Sequence, residues 1–280
     1  MRLGAHVSTQ GGVFNAAAYA AELGVTAIAL FTKNQRQWRS KPLGEEEIKK
    51  WYQAIKEHGI VSAVSHVSYL INLCAPDKEK LARSLDSLTD ELERAEILGL
   101  THAVIHPGSH LGNGERWGIN EIAKSLSEVH RRLPGYKAQI TLEITAGQGS
   151  NLGYKFEQIA AIIDQTEENQ RLAVCFDTCH AFAAGYKLTP EKTYYQTWEE
   201  FDRLIGLEKL AVIHLNDSKK ESGSRVDRHE MIGDGVMGLE PFSLLLNDTR
   251  FTNLPAILET PQGQEGYPKD LKILRGLIRS

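Results

Sequence analysis

Eight times along this chain a short β-type run of apolar residues is followed by a stretch whose apolar positions recur with helical spacing, and no other feature limits the fold as strongly. The apolar runs cover 3–5, 27–31, 61–65, 103–105, 140–142, 172–176, 210–213 and 256–258. The predicted helices cover 13–23, 45–58, 77–98, 119–132, 155–164, 194–205, 240–246 and 268–279. Strands that are apolar on both faces belong to a parallel sheet covered by helices. Eight such units in 280 residues predict an α/β fold closed into a single (β/α)8 TIM barrel, for which about 250 residues suffice. No Pro/Gly/Ser-rich linker or composition shift divides the chain, so one domain over 1–280 is expected. The stretches without a pattern, 31–44, 107–118, 144–154, 178–193 and 216–239, all follow strands. In such a barrel the loops after the strands build the active-site face.

Composition removes several classes. With 41% hydrophobic and 24% charged residues the chain is an ordinary globular protein, neither disordered nor fibrous. The first residues show no basic segment followed by an apolar one, and nowhere do about 18 apolar residues run together, so a cytoplasmic protein without a membrane partner is expected. Cys74, Cys175 and Cys179 form no CxxC, which argues against a disulfide framework and a thiolate zinc ribbon. A formal charge of −4 carries no general nucleic-acid signature and leaves that question to local patches.

The residues that close the apolar runs are more informative. His66, His106, Glu143, Asp177, His214 and Glu259 end six of the eight predicted strands, and would all face one rim. Any one of them could simply hydrate that rim. Together, several carboxylates and imidazoles on one small face repel and desolvate each other unless cations compensate. Asp177 and His180 add a three-residue spacing at a strand-to-helix turn, and Asp227 and His229 an i, i+2 pair that extended chain turns to one side. Nine ligands exceed what one ion can use, so a cluster of three is expected, with bridging carboxylates; imidazole and carboxylate donors suit zinc, with manganese an alternative at the third position. His6 and His110 face the same rim as candidate supporting donors, while His58, His102 and His130 read as surface or cap residues. Gly147, Gly149 and Gly153 do not form GxGxxG and read as a tight loop behind Glu143.

Paired cations stabilise both the attacking and the leaving oxygen of a displacement at phosphorus, which favours phosphodiester hydrolysis. The loops agree with a polyanionic substrate. Lys33, Arg36, Arg39 and Lys41 follow the second strand without an intervening acid, and Lys219, Lys220, Arg225 and Arg228 follow the seventh. Asn34, Gln35, Trp38 and Tyr69 add planar groups to these basic loops, as in a nucleic-acid track with stacking platforms. One alternative is a sugar isomerase or epimerase on the same barrel, which has no use for Asp227 and His229.

The segments FTKNQRQW (31–38), SYLINL (68–73), HPGSH (106–110), TAGQGSNLGYKFE (145–157), DTCHAFAAGY (177–186), HLNDSK (214–219), GSRVDRHEMIGDG (223–235) and LET (258–260) resemble the endonuclease IV family of apurinic/apyrimidinic endonucleases. The resemblance spans residues 2 to about 262. It implies a monomeric DNA-repair enzyme that hydrolyses the phosphodiester 5′ to abasic sites in double-stranded DNA, leaving a 3′-hydroxyl and a 5′-deoxyribose phosphate, and that removes blocking 3′ groups. By that resemblance His66 and His106 hold a first zinc with Glu143 bridging, Asp177, His214 and Glu259 complete a second, and His180, Asp227 and His229 hold a third. Glu259 would also serve as general base. A second alternative, which the resemblance adds, is a lesion-binding protein without catalysis. Arg36, Tyr69 and Leu70 match residues that the family pushes into the duplex. Two positions depart from the family pattern: Ile144 stands where Asn or Thr is usual, and Val67 where Asp or Gly is usual. Ile144 is expected to remove a hydrogen bond near Glu143.

Overall fold

The computed structural model describes residues 1–279. The barrel strands are β1 (Arg2–His6), β2 (Ala27–Leu30), β3 (Ser62–His66), β4 (His102–Ile105), β5 (Gln139–Glu143), β6 (Leu172–Asp177), β7 (Leu210–Leu215) and β10 (Pro255–Leu258), with β8 (Asp217–Ser218) and β9 (His229–Glu230) forming a separate two-stranded sheet. The helices are α1 (Asn15–Leu23), α2 (Glu45–Glu57), α3 (Lys78–Leu98), α4 (Glu115–Arg132), α5 (Phe156–Gln165), α6 (Thr178–Ala184), α7 (Glu191–Leu204), α8 (Glu240–Leu246) and α9 (Tyr267–Leu277). All eight barrel strands pair in parallel, and β1 closes the ring between β2 and β10. At Gly4 the approach is so close that a Cβ would run into the Ala27 carbonyl, so β1 accepts only glycine there.

The core has two compartments. Ala27, Ala29, Val64, Val104, Cys175, Val212 and Ile257 fill the barrel interior, and a larger cluster packs the outer strand faces against the helices. Side chains alternate across a strand, so the residues two positions beyond Val64, Val104, Cys175, Val212 and Ile257 also point inward. Those residues are His66, His106, Asp177, His214 and Glu259. Strand parity alone therefore stacks a polar layer on a small apolar plug.

The connections differ from the sequence expectation in three places. Helix α4 starts at Glu115 rather than 119, because Gly118 lets the polar first turn lie against Leu152. The stretch 178–193 contains α6, whose first turn is capped by Asp177 accepting from His180 N at 2.7 Å and which stops at Gly185 with φ 111°. The stretch 216–239 contains the β8–β9 ladder, centred on buried Asp217, whose carboxylate accepts from Gly233, Gly235 and Met237 amides. None of these short segments carries an amphipathic period long enough to read.

Candidate metal centre

Glu143, fully buried at the end of β5, organises the rim. Its Oε2 lies 3.1 Å from Nε2 of both His66 and His106, while its Oε1 lies 2.9 Å from His214 Nδ1 and 3.4 Å from His180 Nδ1. One carboxylate thus faces two different sets of imidazoles. His214 Nδ1 also meets Glu259 Oε2 at 3.1 Å, and Asp177 Oδ2 lies 3.7 Å from His229 Nε2. Further out, His180 Nε2 approaches Asp227 Oδ1 at 3.2 Å and His229 Nε2 at 3.3 Å.

These positions fall into three sets whose donor atoms lie within 4.8 Å of one another: His66, His106 and Glu143; Glu143, Asp177, His214 and Glu259; His180, Asp227 and His229. The tautomers fit metal binding. Nδ1–H of His66, His180 and His229 donates to the carbonyls of Val67, Ile144 and Glu259 at 2.9, 3.0 and 3.2 Å, which frees each Nε2 lone pair for the cluster. Two imidazole nitrogens at 3.3 Å, both with lone pairs, are tolerable only with a proton or a cation between them.

Electrostatics points the same way. Burial would keep His66, His180 and His214 neutral, but their neighbours outweigh it and raise all three pKa values: carboxylates at His66 and His180, and the Cys175 sulfur ahead of Glu259 and Glu143 at His214. Burial likewise opposes ionisation of Glu143 and Glu259, and the imidazoles override it, holding both carboxyls well below their usual range. The polar layer therefore binds positive charge tightly, and cations would displace the shared protons.

Supporting groups fix the ligands. His6 Nδ1 sits 2.8 Å from Glu259 Oε1. Asn216, which sequence reasoning missed, is buried behind the cluster: its Nδ2 donates to Asp177 Oδ2 at 2.6 Å and its Oδ1 accepts from Glu259 N at 2.9 Å. The signal that could have found it is its place two residues after His214, where the period of two, carried one residue past the end of β7, turns it to the same side. Cys175 and Cys179 also approach the ligand sets, as buried thiols whose pKa burial pushes up to about 12.

Tyr69 and Leu70 are exposed on the turn after β3, and the Tyr69 ring stands 5.2 Å from that of His66 and 5.8 Å from that of His106. Tyr69 flanks a cavity of about 380 Å³ lined also by His66, Asn72, His106, Ser109 and Asp227. Arg36 and Asn34 are exposed on the adjacent loop, and Ser68 Oγ donates to Gln35 O at 2.6 Å, tying the two loops together. A second groove, of about 660 Å³, runs along His6, Phe31, Asn34 and Gln35.

Several sequence-based assignments need correction. Lys33 does not face the rim; its Nζ is buried against α3, 2.6 Å from Asp90 Oδ2 and 3.1 Å from Ser87 Oγ, because the inward turn at Thr32–Lys33 meets the acidic face of that helix. His110 Nδ1 accepts from the Gly112 and Gly114 amides and so braces its own loop. His130 is no surface residue: α4 carries it into the core, where Nδ1 meets Glu167 O. Ile144 and Val67 point away from the metal layer into the outer core, so Ile144 removes no side-chain bond at Glu143 and instead orients His180 through its carbonyl. Arg225 and Arg228 are both exposed, and Arg225 also engages the loop after β5.

Among the described residues no helix is long and apolar enough to cross a membrane. Residues 17–277 match the family model described as a xylose isomerase-like TIM barrel. The chain is 47% identical to the probable endonuclease 4 of Geobacter sulfurreducens over 99% of its own length and 94% of that protein. It superposes on the crystal structure of endonuclease IV from Thermus thermophilus with a TM-score of 0.87 and 36% identity, covering 99% of this chain and 98% of that one. A D-tagatose 3-epimerase-like protein shares the fold alone, at TM-score 0.76 and 19% identity over 99% and 97% of the two chains. A full-length match to the endonucleases, set against a fold-only likeness to the epimerase, decides the affiliation: the chain belongs to the endonuclease IV family.

Proposed function

We propose that this protein is a DNA-repair endonuclease that hydrolyses the phosphodiester 5′ to abasic sites in double-stranded DNA, leaving a 3′-hydroxyl and a 5′-deoxyribose phosphate, and that it also trims blocked 3′ ends. The observation that carries the reading is Glu143, whose two oxygens serve separate imidazole sets with a third ligand set beyond. His66, His106 and Glu143 would hold one zinc, Glu143, Asp177, His214 and Glu259 a second, and His180, Asp227 and His229 a third, with manganese an alternative there. Bound cations supply charge stabilisation for the attacking and leaving oxygens of the displaced phosphodiester. All nine donors come from one chain, which fits a monomer of one domain, and a DNA substrate fits work in the cytoplasm.

The chain's own groups do the positioning. Glu259 retains slight exposure while Glu143 and Asp177 have none, and its carboxylate is held ionised by His214 and His6. Its exposure, and not its basicity, makes it the carboxylate placed to accept a proton from water, with His6 holding Oε1. The cavity beside Tyr69 is recessed, so the lesion must leave the helical stack to reach it, which costs least where no base is present. Tyr69 and Leu70 fill the gap, and Arg36 meets the backbone.

Incubation with an abasic-site duplex, read on a denaturing gel, tests this. Nicking 5′ to the lesion is expected. Binding without nicking would mark a lesion-binding module, and neither would return the sugar epimerase reading, which leaves Asp227 and His229 idle.

A further inference from the structure

The outer ligand set depends on a loop, and the structure shows what holds that loop. Arg225 adopts φ 55°, a left-handed conformation that a residue with a Cβ holds only where its surroundings over-determine it. Its amide donates to Ala183 O at 2.9 Å, at the end of α6. Its Nε donates to Gly147 O at 3.1 Å, and its guanidinium lies 4.1 Å from the centroid of the Tyr154 ring. Tyr154 is itself fixed, donating from its hydroxyl to Glu115 Oε1 at 2.8 Å. Two residues on, the Asp227 amide donates to the Gln148 side chain at 3.0 Å. The segment before the outer ligands is thus fastened to the loop after β5 on one side and to α6, which carries His180, on the other.

We propose that Arg225 is a positioning residue for the outer metal rather than a phosphate contact: it locks the loop after β7 against Gly147 and Tyr154, and thereby sets Asp227 and His229 against His180. The proposal rests on the three-ion reading of the site. Lysine cannot replace arginine here, since it keeps the charge but loses the Nε donor and the planar stacking surface.

The test uses full-length protein loaded with Zn²⁺, dialysed against graded chelator and counted by elemental analysis, for wild type, Arg225→Lys, Arg225→Met and Tyr154→Leu. In each variant one zinc equivalent should weaken about 10- to 100-fold while the other two hold as in wild type. Affinity for intact duplex should keep the wild-type salt slope. If Arg225→Met instead keeps all three equivalents and lowers the salt slope by about one, with Arg225→Lys close to wild type, Arg225 is a phosphate contact and the proposal fails. Should Arg225→Met not fold, Arg225→Lys decides, because a phosphate contact survives it and the clamp does not. A wild-type count below three would refute the three-ion reading itself, and the clamp with it.

Discussion

The inner and outer ligand sets use the same residue types but are built by different means. Glu143, Asp177 and His214 sit on neighbouring strands with side chains fully buried, and the register pairs Asp177 directly with His214. Asp227 and His229 sit in and just after a loop, with side chains 40% and 18% exposed, and reach His180 on a short helix. Backbone hydrogen bonds between strands fix the first set. A few side-chain contacts fix the second. Site rigidity should therefore fall from the inner to the outer set, and metal affinity with it.

The largest effect expected is at the shared residue. Glu143→Gln removes a charge common to both inner sets, so about two metal equivalents should be lost and abasic-site cleavage should fall by more than about 10²-fold, beyond the range typical of supporting residues. Retention of wild-type metal content and cleavage would break the bridging assignment. Asp227→Asn should cost about one equivalent and leave the inner pair loaded, as read by elemental analysis. Loss of all three would mean that the two sets are not separable. Tyr69 belongs to neither set; its exposure on the turn after β3 takes it out of the core, and the proposed function makes it a substrate contact. At about 1 to 3 kcal/mol for a stacking group, Tyr69→Ala should weaken binding to abasic duplex roughly 5- to 150-fold, with metal content and intact-duplex binding unchanged. Equal loss on both duplexes would deny it a role in lesion recognition.

The smallest effect concerns a histidine at the other end of the barrel. His102 starts β4, four residues before His106, and has Thr141 Oγ1 at 3.2 Å. Burial lowers its pKa to about 4, whereas carboxylates raise those of His66 and His180. Below about pH 6.5 the unfolded chain takes up a proton that folded His102 refuses, so its contribution to stability is lost as pH falls from there toward 4. Thermal melts of His102→Gln should show a flatter acid limb over that interval. An unchanged limb would mean that other groups set it.

Much of this architecture is legible along the chain, and the exceptions share a cause. The alternation of apolar runs and helical spacing predicts the barrel, and all eight runs overlap observed strands. Of the six strand-end candidates, all but Glu143 follow from period-two parity with the barrel interior, a pattern present in the linear sequence. Lys33 misleads for the opposite reason: a basic residue in a loop after a strand reads as a rim cation, but Asp90 and Ser87, more than fifty residues away, turn it inward. Asn216 escapes notice because an amide among carboxylates and imidazoles looks ordinary until its two partners, Asp177 at the end of β6 and Glu259 just after β10, are seen together.

The amino-acid order by itself thus determined the fold class, the rim that gathers the candidate metal donors and the kinds of donor found there, because backbone periodicity and side-chain identity are local properties. The tertiary structure decided how those donors are shared. That Glu143 divides its oxygens between two imidazole sets, that Ile144 serves through its carbonyl rather than its side chain, and that Arg225 clasps Tyr154, seventy-one residues earlier, all depend on contacts between distant segments. Such contacts exist only after the barrel closes, since closure brings the strand ends within a few ångströms of one another and leaves each loop to find its support on its neighbours.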